Sequence, residues 1–234
     1  MLGEKCLFQC RQFHVECKHL NMNSLKQEID LEFDNVEANS RPDYFSNDYW
    51  ERRYRNEPEP FDWYLTWNDL KDIILPEIKK YDSALYVGCG SSTIAYNLIQ
   101  DGFHKVTGLD ISKTVISQNK SRYSDISNLD FIAEDVCKID TIFPENAFDF
   151  IIDKGMMDSM ITSLPSSRNV PLMMNKIHDA LNQNGIFAEI SYGVPATRFF
   201  YFADLNDYWT VFEPKIVKGT KCGRNYYIYM ARKK

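Results

Sequence analysis

One run of residues, SALYVGCGSS from Ser83 to Ser92, constrains the fold of this chain more than any other feature. Its apolar first half predicts a buried strand, and the glycines that end it allow a tight turn into a following helix. About twenty residues later a second strand-like run ends at an acidic residue, Asp110. A strand, a glycine turn, a helix and another strand form the repeating unit of a parallel α/β sheet, which binds its ligands at the strand ends.

The same alternation continues along the chain. The predicted strands are 83–87, 105–109, 129–133, 148–152 and 186–192, and the predicted helices between them are 92–101, 112–121 and 171–181. Ser112 is the expected N-cap of one helix, and Asn184-Gly185 is the expected stop of another. Two further strand-like runs, 209–217 and 225–231, flank the glycine-containing KGTKCGR and predict an antiparallel hairpin. The prediction is an α/β fold with a doubly wound, mostly parallel seven-stranded sheet.

Composition places the chain among ordinary globular proteins. Of its 234 residues 44% are hydrophobic, and no run approaches the roughly 20 apolar residues of a membrane span. The N-terminus lacks the pattern of a secretory signal, so we expect a cytoplasmic protein without a membrane partner. We also expect a monomer. The net charge of -6 disfavours nucleic acid and is better suited to a basic protein substrate. We expect a flexible leader over 1–40 and one domain over 41–234.

Cysteine and histidine residues cluster in that leader. The cluster contains Cys6, Cys10, His14, Cys17 and His19, and its spacing matches no standard zinc motif. We therefore expect no metal site and incidental, reduced thiols.

Three strand ends carry the predicted chemistry. Gly88 and Gly90 let a ligand approach the backbone, and Asp110 can accept the hydroxyls of a ribose. Asp135, after the third strand, can accept an adenine amino hydrogen, while Val136 covers the ring. The same geometry would serve NAD, but the turn G-C-G-S-S lacks the third glycine that a pyrophosphate site uses.

Family resemblance separates these alternatives. The series ALYVGCG, GLDIS, AEDV and FDFIIDKG resembles the successive motifs of class I, seven-stranded S-adenosylmethionine-dependent methyltransferases, which share a Rossmann-like fold. A narrower resemblance, carried by DYWERRY, FDWY, DKGMMDS and NYYIYMARK, is to the methyltransferase-like 13 and elongation factor 1-alpha lysine methyltransferase family. It implies S-adenosylmethionine as cofactor, protein lysine as acceptor and elongation factor 1-alpha as the favoured substrate.

The resemblance also implies a set of cofactor-binding residues. They are Trp50, Tyr54, Trp63, Gly88, Asp110, Ile111, Asp135, Val136 and Lys154, to which the glycine turn adds Gly90. One departure is Tyr86, which stands where the broad class has an acid two residues before the first glycine. Aromatic faces can replace that contact by cation–π attraction to the ammonium or sulfonium, although simple burial of these rings is the alternative.

The acceptor should approach the end of the fourth strand. There Asp158 is the candidate for drawing in a substrate lysine and helping it lose a proton, with Asp153 similar and a solvated cap as the alternative. Tyr192 and Arg198, after the fifth strand, are the acceptor-side candidates. Two rival functions remain open at this point: a small-molecule methyltransferase of the same fold, and a non-catalytic binding module.

Overall fold

The structure, a computed structural model, describes residues 43–162, 167–203, 207–219 and 223–234. The predicted leader and its cysteine and histidine cluster lie outside the described residues, so the boundary near residue 41 stays a prediction. Every helix in the described ranges is too short or too polar to cross a lipid bilayer.

Helices and strands alternate as the sequence predicted. The helices are α1 Asn47–Asn56, α2 Trp67–Ile74, α3 Ile94–Gln100, α4 Lys113–Arg122, α5 Met156–Ile161, α6 Val170–Ala180 and α7 Pro195–Ala203. The strands are β1 Ser83–Val87, β2 Lys105–Asp110, β3 Leu129–Ala133, β4 Phe148–Lys154, β5 Leu181–Ser191, β6 Trp209–Val211, β7 Lys215–Lys218 and β8 Asn225–Lys233. Two short 3₁₀ helices, Leu75–Glu77 and Val136–Thr141, follow α2 and β3.

The strands form one sheet in the order β3-β2-β1-β4-β5-β8-β6, with β7 also paired to β8. Strands β1 to β5 are parallel, and β8 runs antiparallel to both β5 and the two short edge strands. The chain order therefore reverses at β1, which has β2 on one side and β4 on the other. Open α/β sheets bind ligands at such a switch point, beyond the carboxyl ends of the strands.

The sheet edge differs from the sequence prediction in one respect. The run 209–217 was predicted as a single strand, but it splits into β6 and β7 on the same side of β8. Pro214 lies between them, and proline has no N–H to donate to a ladder. The predicted doubly wound sheet with a C-terminal antiparallel pair is confirmed, and the seventh place is shared by two short strands.

A second difference concerns the start of β5. Asn184-Gly185 was predicted to stop helix 171–181, but α6 already ends at Ala180 and β5 includes both residues. The register of β5 against β4 shifts between Phe148 and Phe150, and Asn184 has a φ of 66°. The turn chemistry was recognised correctly, but it makes an irregularity inside a strand.

Each face of the sheet has its own core. One core joins α2, α3 and α4 to the sheet through residues such as Trp67 and Leu98, and the other joins α5, α6 and α7 through residues such as Met174 and Phe202. Strand β4 is buried along its whole length, as expected for a central strand covered on both faces. This rigid sheet fixes the strand ends at which the site is built.

Candidate active site

A cavity of about 1000 Å³ opens beyond the carboxyl ends of β1, β2 and β4. It lies at the switch point of the sheet, where the fold predicts a ligand. The ten residues predicted to bind a cofactor all line it: Trp50, Tyr54, Trp63, Gly88, Gly90, Asp110, Ile111, Asp135, Val136 and Lys154. The cavity therefore brings together predicted residues that are distant in the chain, such as Trp50 and Lys154, which are 104 positions apart.

The turn after β1 requires its glycines for two reasons. Gly88 and Gly90 have φ values of 60° and 50°, in the left-handed region that favours glycine. A Cβ atom on Gly90 would lie 2.7 Å from the hydroxyl oxygen of Tyr54, and one on Gly88 would lie 2.6 Å from Cβ of Met156. Close approach of a ligand is the reason predicted for these glycines from the sequence. Close packing against α1 and α5 is the second reason.

Asp110 ends β2 with its carboxylate almost fully buried at the cavity wall. The carboxylate accepts hydrogen bonds from the N–H groups of Gly90 and Ser112, both at 2.9 Å. Burial raises the pKa of this carboxyl to about 6, against the lowering effect of those two donors. Ser112 caps α4 through its side chain, as predicted, because its hydroxyl accepts from the N–H of Val115. Asp110 is thereby held at a fixed position beside the glycine turn.

The third strand end is organised by Asp135. Its carboxylate accepts a hydrogen bond from the N–H of Cys137 at 2.9 Å and so caps the 3₁₀ helix that follows β3. Val136 is buried beside it, while Ile111, after β2, exposes 45% of its surface. One face of the cavity at this end is therefore apolar.

The aromatic helix α1 contributes part of the cavity wall. The ring of Trp50 stacks on Tyr54 at 5.8 Å and meets Trp63 edge-on at 6.2 Å. Glu51 ties α1 to the start of α4, because its carboxylate accepts from the N–H of Lys113 at 2.7 Å and from the hydroxyl of Thr114. These rings are packed together and also line the cavity, so burial and ligand contact are compatible.

A buried ion pair fastens the next loop to the sheet. Nζ of Lys154 lies 3.1 Å from Oδ1 of Asp62 and donates a hydrogen bond to the carbonyl of Trp63 at 2.7 Å. Ser92, in the glycine turn, also donates to Asp62. Burial lowers the pKa of Lys154, and the carboxylate of Asp62 opposes that effect. Lys154 was predicted from its motif, whereas its partner Asp62 was missed.

Asp158 lies on α5, which follows β4, whereas Asp135 follows β3 at the other end of the cavity. Every acceptor position of the Asp158 carboxylate is already occupied by a hydrogen bond. It accepts five hydrogen bonds, from the hydroxyl of Tyr64, the hydroxyl of Ser191, the N–H of Tyr192, and Nε and Nη2 of Arg198. A carboxylate offers about four lone-pair positions, so this arrangement leaves none for a substrate amine. The geometry therefore favours a positioning role for Asp158 over the predicted proton-accepting role.

The two acceptor-side predictions have different outcomes. Tyr192 lines the cavity and exposes 48% of its surface. Arg198 does not line it: its guanidinium is buried on α7, against the backbone of Gly193, and pairs with Asp158 at 2.7 Å. Arg198 is therefore not one of the residues that line this cavity, and its predicted acceptor-side role stays a prediction.

Two more acids lie in the buried layer behind Asp158. Asp153 caps α5 by accepting from the N–H groups of Met156 and Met157, and burial raises its pKa to about 7. Glu189 is 1% exposed, and neither of its carboxylate oxygens has a hydrogen-bond partner among the described residues. Burial raises the pKa of Glu189 well above its usual range, and Arg198 is 3.8 Å away. Glu189 could have been recognised from the sequence, because it is a lone acid within the apolar run IFAEIS.

Tyr64 is a third residue, after Asp62 and Glu189, that was not predicted from the sequence. It follows Trp63 in the quoted motif FDWY, lines the cavity, and donates its hydroxyl hydrogen to Asp158 at 2.9 Å. The 94 positions between Tyr64 and Asp158 explain why local pattern could not pair them.

The lining residues fit the predicted cofactor. A buried carboxylate beside a glycine turn suits a ribose, an apolar wall suits an adenine ring, and aromatic faces suit a sulfonium or ammonium. No group of three or more histidine, cysteine or acidic side chains in the described ranges is placed to hold a metal ion. The fold and the site thus define a protein that binds a nucleoside-containing cofactor at the switch point of its sheet.

Comparisons with known proteins identify the class. Residues 78–227 match the family described as a methyltransferase domain. This chain therefore belongs to the methyltransferase domain family, and the predicted class, an S-adenosylmethionine-dependent methyltransferase, is confirmed.

Curated relatives are similar over most of the described domain. The chain is 27% identical over 173 residues to EEF1A lysine methyltransferase 4 of Bos taurus, a match that covers 70% of this chain and 67% of that protein. It is 29% identical over 161 residues to the eEF1A lysine and N-terminal methyltransferase of Mus musculus, covering 67% of this chain and 23% of that protein.

Solved structures share the fold at low identity. The 1,6-didemethyltoxoflavin-N1-methyltransferase of Burkholderia thailandensis superposes with a TM-score of 0.67 at 16% identity, covering 85% of this chain and 93% of its own. The N-methyltransferase NodS of Bradyrhizobium japonicum gives 0.57 at 15% identity, covering 82% and 99%. These likenesses confirm the Rossmann-like fold.

Proposed function

We propose that this chain is a protein-lysine N-methyltransferase that acts on elongation factor 1-alpha. Two curated relatives support this substrate, since one is an EEF1A lysine methyltransferase, the other is an eEF1A lysine and N-terminal methyltransferase, and both match two thirds or more of this chain. The observation that carries the proposal is the single cavity that joins the predicted cofactor residues to the aromatic, Asp158-centred end. A cytoplasmic location and a monomeric state belong to the same proposal.

The donor end of the cavity is built to hold S-adenosylmethionine without catalytic acids or bases. Asp110 would accept the ribose hydroxyls, Asp135 the adenine amino hydrogen, and Val136 would cover the adenine. Bound there, S-adenosylmethionine supplies an already activated methyl group on its sulfonium. The rings of Trp50 and Tyr54 face the cavity and can attract the positive charges of the ligand by cation–π interaction.

The acceptor end is built to position a long, cationic side chain. Tyr64, Tyr192 and Tyr226 contribute aromatic surface to the cavity wall. Aromatic faces attract ammonium groups before and after methylation, and their apolar surface suits the methylene stem of a lysine. The net charge of -6 also favours a basic protein partner over nucleic acid.

The direct test is tritiated-methyl transfer from S-adenosylmethionine into purified elongation factor 1-alpha, followed by peptide mass spectrometry to locate the methyl group. Label on a lysine that Asp110→Ala abolishes supports the proposal. The matched control is Asp130→Ala, which removes an exposed acid from β3 outside the cavity. Label on the amino-terminal nitrogen of the substrate, or no label despite cofactor binding, would contradict lysine transfer to this protein.

A further inference from the structure

Tyr64 occupies a strained position at the acceptor end of the cavity. Its φ of 65° lies in the left-handed region, which is unfavourable for a bulky aromatic residue. Such strain persists where surrounding contacts over-determine it, and it concentrates at functional sites. The contacts that hold Tyr64 are therefore informative.

Three contacts fix the ring and its hydroxyl. The ring stacks on Tyr226 with centroids 5.0 Å apart and meets Tyr192 edge-on at 6.0 Å. It also lies directly over Gly155, the residue after β4, where an added Cβ would come within 3.0 Å of Cε2 of Tyr64. The phenolic oxygen is thereby held beside the end of the strand that carries Lys154 and leads into Asp158.

The hydroxyl has a defined orientation. It donates its hydrogen to Asp158, a carboxylate that cannot rotate freely because Ser191, Tyr192 and Arg198 also donate to it. A hydroxyl that has donated its hydrogen keeps two lone pairs for acceptance. Burial, reinforced by the charge of Asp158, raises the pKa of Tyr64 far above its usual range, so this group stays protonated and does not act as a base.

We propose that the phenolic oxygen of Tyr64 accepts a hydrogen bond from the neutral acceptor amine and thereby aims the nitrogen lone pair at the donor methyl group. This inference deepens the proposed lysine transfer and rests on it. Asp158, Arg198 and Ser191 then serve as positioning residues that act through Tyr64. Tyr64 is the residue that would touch the substrate.

Methyl transfer to the amine requires no base from the protein. The acceptor ammonium first loses a proton to solvent, which leaves a lone pair on nitrogen. In the transfer step an N–C bond forms, the S–C bond of the donor breaks, and its electron pair stays on sulfur as a thioether. The product nitrogen carries the positive charge, and the hydrogen bond to Tyr64 persists because a methylated ammonium retains an N–H until it is trimethylated.

The test compares Tyr64→Phe with wild type at saturating S-adenosylmethionine and varied elongation factor 1-alpha. Loss of orientation should lower kcat roughly 10- to 100-fold with a much smaller change in KM. The pH profile should keep its shape, since no titrating group is removed. S-adenosylhomocysteine affinity, measured by calorimetry, should match wild type, because Tyr64 is absent from the proposed donor contacts.

Two further variants separate positioning of the substrate from maintenance of the fold. Ser191→Ala removes another hydroxyl donor to Asp158 from a buried position outside the cavity wall, and should lower kcat far less than Tyr64→Phe. Tyr96 stacks on Tyr123 and does not line the cavity, so Tyr96→Phe should have the kcat of wild type. Equal losses in Tyr64→Phe and Ser191→Ala, or wild-type kcat in Tyr64→Phe, would overturn the inference. A wild-type enzyme that labels no lysine would instead overturn the proposed function and the inference with it.

Discussion

The two ends of the cavity are built in different ways. At the donor end one buried carboxylate, Asp110, is held by two backbone N–H groups that lie within 20 positions of it in the chain. At the acceptor end Asp158 is held mainly by side chains 33 to 94 positions away. The first arrangement is a local motif at a strand end, and the second exists only once the sheet has assembled.

This contrast separates binding from positioning. The donor end contains an acid and a glycine turn, features that occur in the binding sites of many cofactors. It can therefore hold a ligand without determining which acceptor is used. At the acceptor end the carboxylate of Asp158 accepts only internal hydrogen bonds. The groups that face the cavity there are aromatic rings and one oriented hydroxyl, that of Tyr64. Donor affinity and acceptor orientation should therefore respond to different substitutions.

The largest expected effect concerns the buried pair behind the acceptor end. Arg198→Met leaves Asp158 with a buried, uncompensated charge, so the free energy of unfolding should fall by about 3–5 kcal/mol in urea titrations. The matched control is Lys176→Met, which removes a cation from the exposed pair with Asp140 and should have little measurable effect. Equal stability of Arg198→Met and wild type would show that the acceptor end does not depend on this pair.

The second effect sharpens the donor end. Asp110→Ala removes the proposed acceptor of two ribose hydroxyls, and hydrogen bonds to a charged group contribute about 1.5–3 kcal/mol each. The Kd for S-adenosylhomocysteine, measured by calorimetry, should rise at least about 100-fold. Asp158→Asn should leave this Kd nearly unchanged, because it alters the other end. Unchanged affinity in Asp110→Ala would place the donor elsewhere in the cavity.

The third effect is a pH dependence confined to the donor end. Asp110 must be ionised to accept both hydroxyls, and burial raises its pKa to about 6. Cofactor affinity should therefore be constant above pH 7 and fall as pH decreases through 6, by about tenfold at pH 5. Asp135→Asn should bind more weakly but retain the same midpoint. A pH-independent Kd between 5 and 8 would contradict the assignment to Asp110.

The last effect concerns the pH dependence of stability and the buried acid Glu189. Its folded-state pKa lies above the unfolded value, as does that of Asp153, so the folded chain binds more protons and loses stability as pH rises from about 4 through 7. Glu189→Gln should flatten that slope in urea titrations, so that its free energy of unfolding is close to that of wild type near pH 4 and exceeds it at pH 7. A slope as steep as that of wild type would show that Glu189 gives up its proton at little cost.

Sequence pattern was sufficient for the donor end and insufficient for the acceptor end. Gly88, Gly90 and Asp110 follow apolar strands directly, so alternation and parallel topology bring them together without knowledge of packing. Trp50 and Trp63 came from a family motif, and the structure places both on the same cavity.

The acceptor end depends on contacts that no local pattern encodes. Arg198 was offered as an acceptor-side candidate because it follows β5, but its pairing with Asp158, 40 positions away, is not encoded in any local pattern. Tyr64 was missed because its importance comes from a left-handed backbone and a partner on α5. Asp158 was recognised as an acid near the reacting end, whereas its saturation by five donors required coordinates.

The most direct test of the central claim is residue-level mapping of methylation on elongation factor 1-alpha by wild type, Asp110→Ala and Tyr64→Phe, with S-adenosylhomocysteine affinity measured on the same preparations. We expect a methylated lysine with wild type, loss of both binding and methylation with Asp110→Ala, and intact binding with slow methylation of the same lysine with Tyr64→Phe. Methylation by Asp110→Ala at the wild-type rate, or loss of cofactor affinity in Tyr64→Phe, would contradict the division of the cavity into a donor end and an acceptor end.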